Sequence, residues 1–377
     1  MADVIVLGAG MVGALIARDL ADEPGVSVTA IDGSERALAR LRERDGRIET
    51  VCADLAAPGA VRNAVTGYDL ACGAVPGFMG FGALREVIDA GVPYCDISFM
   101  PEDPLTLDEV AQRRSVPAVV DCGVAPGLSN LLAGVAAERL APCQRIEILV
   151  GGLPRIRRAP FQYKAAFSPI DVIEEYTRPA RFVEHGEVVT RPALSGVEPV
   201  DLPGVGTLEA FNTDGLRTLM HTLAVPTMRE KTLRYPGHAA LMRAFRDAGF
   251  FSTEPVQVGG SRVAPRDLAA ELLFPIWTYE PGEADLTVMR VTAEGAGARI
   301  TWDLLDEYDP ASDETSMART TAFPCAIVAR EILAGRIGQA GVIPPERLAR
   351  NPGTVERVLA GLARRGITLR ESSDGSG

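Results

Sequence analysis

The sequence predicts an α/β protein: a doubly wound parallel sheet, an inserted mixed α+β domain, and a C-terminal helix that returns to the first sheet. Three observations carry this. Through the first 125 residues short apolar strands alternate with helical segments, the pattern of a parallel sheet with helices on both faces. Beyond Gly127 the strands lengthen and become more polar, which fits a largely antiparallel sheet. From 315 to 337 a strongly apolar helix follows the last polar strand.

The elements follow in order. "DVIVL" (3–7) is a short apolar strand, "GAGMVG" a tight turn, and "ALIARDLAD" a helix with Leu15, Ile16 and Leu20 at helical spacing. The strand "VSVTAID" ends at Asp32, and the helix "SERALARLRERD" follows. The alternation continues through "IETVCADL", "FGALREVIDAG" and "PYCDIS" to "PAVVDCG". The second domain reads as strands interleaved with short helices at 169–177 and 237–248, and "VQVGG-SRV" reads as a hairpin. In the apolar helix, Pro324 is expected to cause a kink or to lie near the first turn. The expected boundaries are 1–125 for the nucleotide domain, 126–314 for the substrate and dimerisation domain, and 315–370 for the helices that pack back. Residues 371–377, "ESSDGSG", read as a disordered tail.

Composition narrows the partners. The chain has 377 residues, 47% of them hydrophobic, enough for two buried cores. A formal charge of −12 argues against nucleic acid or an anionic membrane surface as partner. No apolar run reaches the roughly 20 residues that span a bilayer. The start, "MADVIVLGAG", enters a strand directly, so no leader is expected and the expected location is cytoplasmic. Six scattered cysteines, none in CxxC, read as reduced thiols, mostly filling a core. Three histidines, none at ligand spacing to a cysteine pair, give no reason to expect a metal.

Gly8-Ala-Gly10-Met11-Val12-Gly13 is a GxGxxG that follows a strand, opens a helix and is answered by Asp32 at the end of the next strand. That context is the Rossmann dinucleotide site. Gly8 makes the turn, Gly10 lets a pyrophosphate approach the backbone, and Gly13 lets the helix pack closely. Asp32 accepts ribose hydroxyls and repels a 2′-phosphate, so NAD is the expected cofactor, with NADP the alternative because Arg36 stands nearby. Ala53 and Asp54 follow the third strand toward the adenine; Ala74, Val75 and Pro76 follow the fourth toward the nicotinamide ribose. Val124, in "VVDCGVAPGLSN", belongs to the same edge, with Asp121 and Cys122 shaping the nicotinamide pocket without reacting.

A nicotinamide implies hydride transfer. Candidates to shape it are Asp96 and Ser98 from the first domain, and Gly152, Tyr163, Asn212, Thr213, Arg234 and His238 from the second. Arg234 is suited to hold a carboxylate by a bidentate pair. His238 is suited to acid–base work near neutral pH, and Asp96, Tyr163 and His238 all stand open as the catalytic base. A bland reading competes at each: a surface ion pair for Arg234, a satisfied helix-start residue for His238. Glu174 and Glu175 in "EEYTRP" have the charge to meet an ammonium, but read first as a solvated helix face.

Taken together, "GAGMVG", "DCGVAPGLSN", "VGGLP", "YKAAFSPIDVIEEYTRPARF", "GTLEAFNT" and "EKTLRYPGH" resemble the saccharopine dehydrogenase family, in its glutamate-forming reductase branch and nearest its L-lysine 6-dehydrogenase type. The resemblance runs from residue 3 to about 350. It implies a Rossmann domain, an inserted substrate domain that lends homodimer contacts, NAD(P), and an amino-acid substrate that is oxidatively deaminated. It also implies that Arg234 meets the substrate carboxylate and that Ser98 lies at the substrate.

The chain departs from the saccharopine enzymes at two places. They read Leu-Asp-Pro-Gly where this chain has Val124-Ala125-Pro126-Gly127, and Asn-Arg-Asp-Ser where it has Asn212-Thr213-Asp214-Gly215. Loss of that arginine removes a charge-assisted bond of about 1.5–3 kcal/mol to a substrate with extra carboxylates. Lysine dehydrogenases carry Ala and Thr at these two positions, so the expected reaction is oxidation of L-lysine at its 6-amino group, giving allysine or its cyclic imine. The alternatives are a saccharopine- or carboxynorspermidine-type reductase using NADPH, and a non-catalytic NAD-binding redox sensor.

Overall fold

A computed structural model describes residues 1–165 and 169–375. The chain divides into two compact units: Met1–Arg139 with Ala318–Thr368, and Leu140–Met317 with the strand that starts at Leu369.

The first unit holds a seven-stranded sheet built on β1 (Ala2–Leu7), β2 (Val26–Asp32), β3 (Glu49–Cys52), β4 (Leu70–Gly73), β5 (Tyr94–Asp96) and β6 (Pro117–Val119), with Gly341–Ile343 added at one edge. Its order is Gly341–Ile343, β6, β5, β4, β1, β2, β3, and every pairing is parallel. The order reverses between β1 and β4, the point where open α/β sheets of this kind receive their ligands. Parallel strands are buried on both faces, which explains apolar runs such as Val4–Leu7. The helix Gly77–Ala90 buries Gly80, Ala83, Leu84, Val87 and Ile88 at three- and four-residue spacing. Truncating Leu84, fully buried there, costs about 2–5 kcal/mol.

The C-terminal segment is tied into this unit by charge as well as by packing. Arg365 Nε and Nη2 donate to Asp19 Oδ1 and Oδ2 at 2.6 and 2.8 Å, and Arg330 Nε donates to Glu23 Oε2 at 2.8 Å. Asp19 and Glu23 lie on or just beyond the helix that opens at the glycine turn, Met11–Ala21. Pro324 lies inside the helix Ser316–Leu333 and not in its first turn. The helix Leu128–Arg139 packs in this unit too, against Pro345–Leu348. The division therefore follows Arg139, where the reading of the sequence put it at 125.

The second unit holds a nine-stranded sheet and a separate hairpin. Its strands are β7 (Cys143–Pro154), β8 (Ala180–Glu184), β9 (Glu187–Arg191), β10 (Glu198–Leu202), β11 (Gly206–Asn212), β12 (Thr227–Arg234), β13 (Val256–Val258), β14 (Ser261–Val263), β15 (Asp285–Gly295) and β16 (Ala298–Glu307). The main path runs β10-β11-β12-β7-β15-β16 and ends on Leu369–Gly375; β8 joins β12, and β9 joins β8. Among the described residues only β12 and β7 pair in parallel within it, and β13 pairs with β14 as the hairpin.

The reading of a disordered tail is corrected for residues 371–375, while 376 and 377 lie outside the described residues. Leu369–Gly375 pairs antiparallel with β16 from Leu304↔Leu369 to Ala298↔Gly375. Trp302 Nε1 also donates to Glu371 Oε2 at 2.9 Å. A polar strand has no local signal of its own; the backbone groups of β16 supply the order.

Candidate active-site residues

In the first unit the expected cofactor residues gather at the carboxyl ends of the parallel strands. Gly8, Gly10, Met11, Val12 and Gly13 form the turn after β1 and the start of the helix Met11–Ala21. A Cβ on Gly13 would run into the Gly8 carbonyl, so only glycine lets the helix approach the strand this closely. A Cβ on Gly10 would meet nothing within 4 Å, and Gly10 is exposed. That helix start has no side-chain cap from Gly10 and no acidic residue in its first turn, so its positive dipole end suits a pyrophosphate.

Asp32 ends β2. Its Oδ2 accepts from Ala9 N and its Oδ1 from Ser34 N, both at 2.7 Å, which aims the carboxylate before any ligand arrives. Ala53 and Asp54 follow β3, with Asp54 Oδ1 accepting from Ala56 N at 2.9 Å. Ala74, Val75 and Pro76 follow β4, and Ala74 N donates to Leu7 O at 2.8 Å, binding this turn to the end of β1. Val124 lies after β6 in a turn closed by a bridge to Gly127. The turn, the helix start and the acid fit a nicotinamide dinucleotide.

Asp96 ends β5 and is fully buried. Its Oδ1 accepts from Ser98 Oγ at 2.8 Å and from Tyr94 Oη at 3.1 Å, while Oδ2 has no partner. Burial pushes the Asp96 carboxyl up to about 8, against the pull of the Ser98 and Tyr94 hydrogen bonds. A Cβ on Gly73 would collide with Tyr94 Oη and Asp96 Oδ1, so the neighbouring strand leaves room for this pair. Cys122 N donates to Asp96 O at 2.7 Å, and Asp121 is buried beside it. These placements bring Asp96, Ser98 and the "VVDCGVAPG" turn together.

In the second unit Arg234 ends β12 and is 2% exposed. Its Nη2 pairs with Glu175 Oε2 at 2.7 Å, its Nη1 donates to Leu233 O at 3.0 Å, and its guanidinium lies 4.6 Å over the Tyr163 ring. Among the described residues Nε has no acceptor, nor has the Tyr163 hydroxyl. Burial pushes the Tyr163 phenol up, so it stays a hydrogen-bond donor. Glu175 corrects the reading of "EEYTRP" as a solvated face: it turns inward from the helix Pro169–Thr177 to meet Arg234. Glu174 is closer to that reading, with surface pairs to Arg178 and Arg266 at 3.7 and 3.6 Å.

His238 lies in the same cluster but both ring nitrogens are engaged. Nε2 meets Tyr176 Oη at 2.8 Å and Nδ1 meets Phe161 O at 3.0 Å. Burial first, and the Arg234 charge second, press its pKa down to about 3. A neutral ring that donates to Phe161 and accepts from Tyr176 is a positioning element with no nitrogen left for proton transfer.

The other residues expected at the substrate lie in or just beyond strands of this sheet. Gly152 sits inside β7 opposite Thr287. Asn212 Nδ2 donates to Ser195 Oγ at 3.2 Å. Thr213 Oγ1 donates to Glu230 Oε2 at 2.6 Å and meets Thr232 Oγ1 at 2.9 Å. Glu230 was not singled out from the sequence. It is 4% exposed, and burial pushes its carboxyl up to about 8. Its only sequence signal was a carboxylate alternating into an otherwise buried strand.

Two family models cover this chain: the saccharopine dehydrogenase NADP binding domain over residues 4–119, and the saccharopine dehydrogenase C-terminal domain over residues 123–367. The chain belongs to the saccharopine dehydrogenase family. Its cofactor is NAD(P). The chain is similar to a fission yeast protein, saccharopine dehydrogenase [NADP(+), L-glutamate-forming] of Schizosaccharomyces pombe, at 22% identity across 86% of this chain and 88% of that protein. It is also similar to the mouse mitochondrial alpha-aminoadipic semialdehyde synthase, at 22% identity across 91% of this chain. It spans 45% of that mouse protein, under half its length. Among solved structures, the apo saccharopine dehydrogenase (L-Glu forming) of Saccharomyces cerevisiae matches over 100% of both chains with a TM-score of 0.80 and 18% identity. At that identity the match speaks for the fold. Among the described residues no helix is long and apolar enough to cross a membrane.

Proposed function

We propose that this saccharopine dehydrogenase-type oxidoreductase acts on an amino acid, oxidising L-lysine at its 6-amino group with NAD to give allysine or its cyclic imine. The observation that carries this reading is Arg234, a buried guanidinium at a strand end with an unfilled Nε donor beside the unfilled Tyr163 hydroxyl. Such donors suit one carboxylate. Ala125 and Thr213, standing where saccharopine enzymes carry an acid and an arginine, favour a substrate without a second acidic arm. The Thr213 hydroxyl is committed to Glu230.

Each residue then has a role. The glycine turn and Asp32 hold the dinucleotide. When bound, the nicotinamide would supply the hydride acceptor that the oxidation needs. Arg234 anchors the α-carboxylate, and Tyr163 donates beside it. Asp96 is the general base: its Oδ2 is unpartnered, and a value of about 8 suits proton exchange with an amine or a water. Ser98 orients Asp96. Water then hydrolyses the imine to the aldehyde and ammonia.

A second reading has its own support. The match along most of the fission yeast saccharopine dehydrogenase favours reductive joining of an amine and an aldehyde with NADPH. Reduction of NAD and NADP over a panel of amino acids and diamines separates the two. Turnover of lysine with NAD supports the first; a demand for two organic substrates and NADPH supports the second. Unchanged kcat/KM for every amino acid in Arg234→Ala would remove the carboxylate role.

The reading includes a homodimer. The helix Pro265–Trp277 exposes Leu268, Leu272 and Ile276, at 51%, 63% and 53%, one turn apart on one face. Val256 and Val258 of the hairpin are exposed as well. An apolar stripe of this kind favours a partner surface.

A further inference from the structure

We infer that Glu175 and Arg234 form a clamp for the two charges of an α-amino acid, with Arg234 taking the carboxylate and Glu175 the α-ammonium. The inference rests on the amino-acid reading above and adds the residue that selects for the amino group.

The pair is built for exchange. Arg234 uses Nη2 on Glu175 and Nη1 on the Leu233 carbonyl, which leaves Nε without an acceptor among the described residues. Tyr163, whose ring lies under the guanidinium, also carries a buried hydroxyl without an acceptor among the described residues. Buried donors are rarely left unfilled, and two beside one cation suit the oxygens of a carboxylate. Glu175 is the more open member, its side chain 17% exposed against 3% for Arg234. The side of the pair nearer solvent is therefore the negative one. Asp171, Arg178 and the buried Glu230 also interact electrostatically with Glu175; burial holds Glu230 up at about 8, and Arg178 is shared with Glu174.

Charge balance decides which ligand this pair accepts. Guanidinium and carboxylate together are neutral. A simple carboxylate entering beside Arg234 puts two anions on one buried cation, which like-charge repulsion in a poorly solvated site opposes. A zwitterion brings its own cation to Glu175, and the four charges alternate. The site therefore selects molecules with both groups on one carbon, whatever their side chain. Glu175 is a specificity residue in this account and takes no part in the bond-breaking step.

The test uses the full chain and two probes that differ only at the α-amine: L-norleucine and hexanoate. Binding is read by tryptophan fluorescence, since Trp277 meets Tyr163 edge to face with ring centroids 5.5 Å apart. The expected result is norleucine binding at least about 10-fold tighter than hexanoate, a ratio worth about 1.4 kcal/mol. In Glu175→Gln the ratio collapses toward one through weaker norleucine binding, while hexanoate binds as well or better. Glu175→Asp, which keeps the charge but retracts it, retains part of the ratio and guards against a folding defect in the glutamine variant. Arg234→Ala weakens both probes. A ratio unchanged in Glu175→Gln, with Arg234→Ala still weakening both, overturns the clamp and leaves the carboxylate role of Arg234 standing. Absence of norleucine binding to the unmodified chain overturns both.

Discussion

The Ser98 hydroxyl donates to Asp96 Oδ1 at 2.8 Å, and the Asp96 oxygen on the other side, Oδ2, is buried without a partner. One oxygen is held and one is vacant, which is the arrangement a general base needs. Burial outweighs the Ser98 bond and leaves the carboxyl protonated at neutral pH.

The first prediction concerns rate against pH. If Asp96 takes the proton, it must be ionised, so kcat/KM for lysine rises with pH through about 8. Asp96→Asn keeps the Ser98 contact, removes the limb of the profile, and lowers kcat/KM by about 10²- to 10⁴-fold. A variant that keeps the rising limb near 8 would falsify the assignment.

Stability carries a second signature. Glu230 is raised in the folded chain to about 8 from an ordinary 4.5. A carboxyl raised by folding contributes stability that is complete below its unfolded value and is lost as pH climbs through the folded one. The chain should therefore lose stability from this group between pH 4.5 and 8, by at most about 1.4 kcal/mol per pH unit. Glu230→Gln lacks the loss, so its midpoint in urea should gain on the unmodified chain as pH rises from 5 to 8. A constant difference across that range excludes a buried neutral Glu230.

Cofactor choice tests Asp32. Its carboxylate is aimed by Ala9 N and Ser34 N and should repel a 2′-phosphate. NAD should bind more tightly than NADP, and Asp32→Ala should reduce that preference by about 10-fold or more, through both weaker NAD and stronger NADP binding. Titration by nucleotide fluorescence measures both. Tighter NADP binding to the unmodified chain contradicts the NAD reading and supports the reductase alternative.

Assembly tests the exposed stripe. Leu272 is central in it and 63% exposed, so Leu272→Glu should fold normally and shift the chain from dimer to monomer in sedimentation. A monomer before substitution, or a dimer unaffected by it, removes this face from assembly.

The nucleotide half was legible in the sequence because its signals are local. A strand, three glycines, a helix and an acid in close order determine a turn, a helix start and a carboxylate at one sheet edge. The alternation of short apolar strands with helices determined the parallel sheet in the same way. Arg234 was legible as a candidate from its motif.

Its partner was not. Glu175 lies 59 residues away, in a helix whose charges look solvated, and only packing turns it inward. The same holds for His238, whose two nitrogens are taken by Tyr176 and by the distant Phe161 carbonyl, and for the raised Asp96, whose state depends on burial under other strands. The strand Gly341–Ile343 is too short to show a period, and Leu369–Gly375 is ordered by β16. Composition and spacing set what a segment does with its neighbours in sequence. Burial, ion pairing and edge-strand order are set by neighbours in space, and those only the tertiary structure decided.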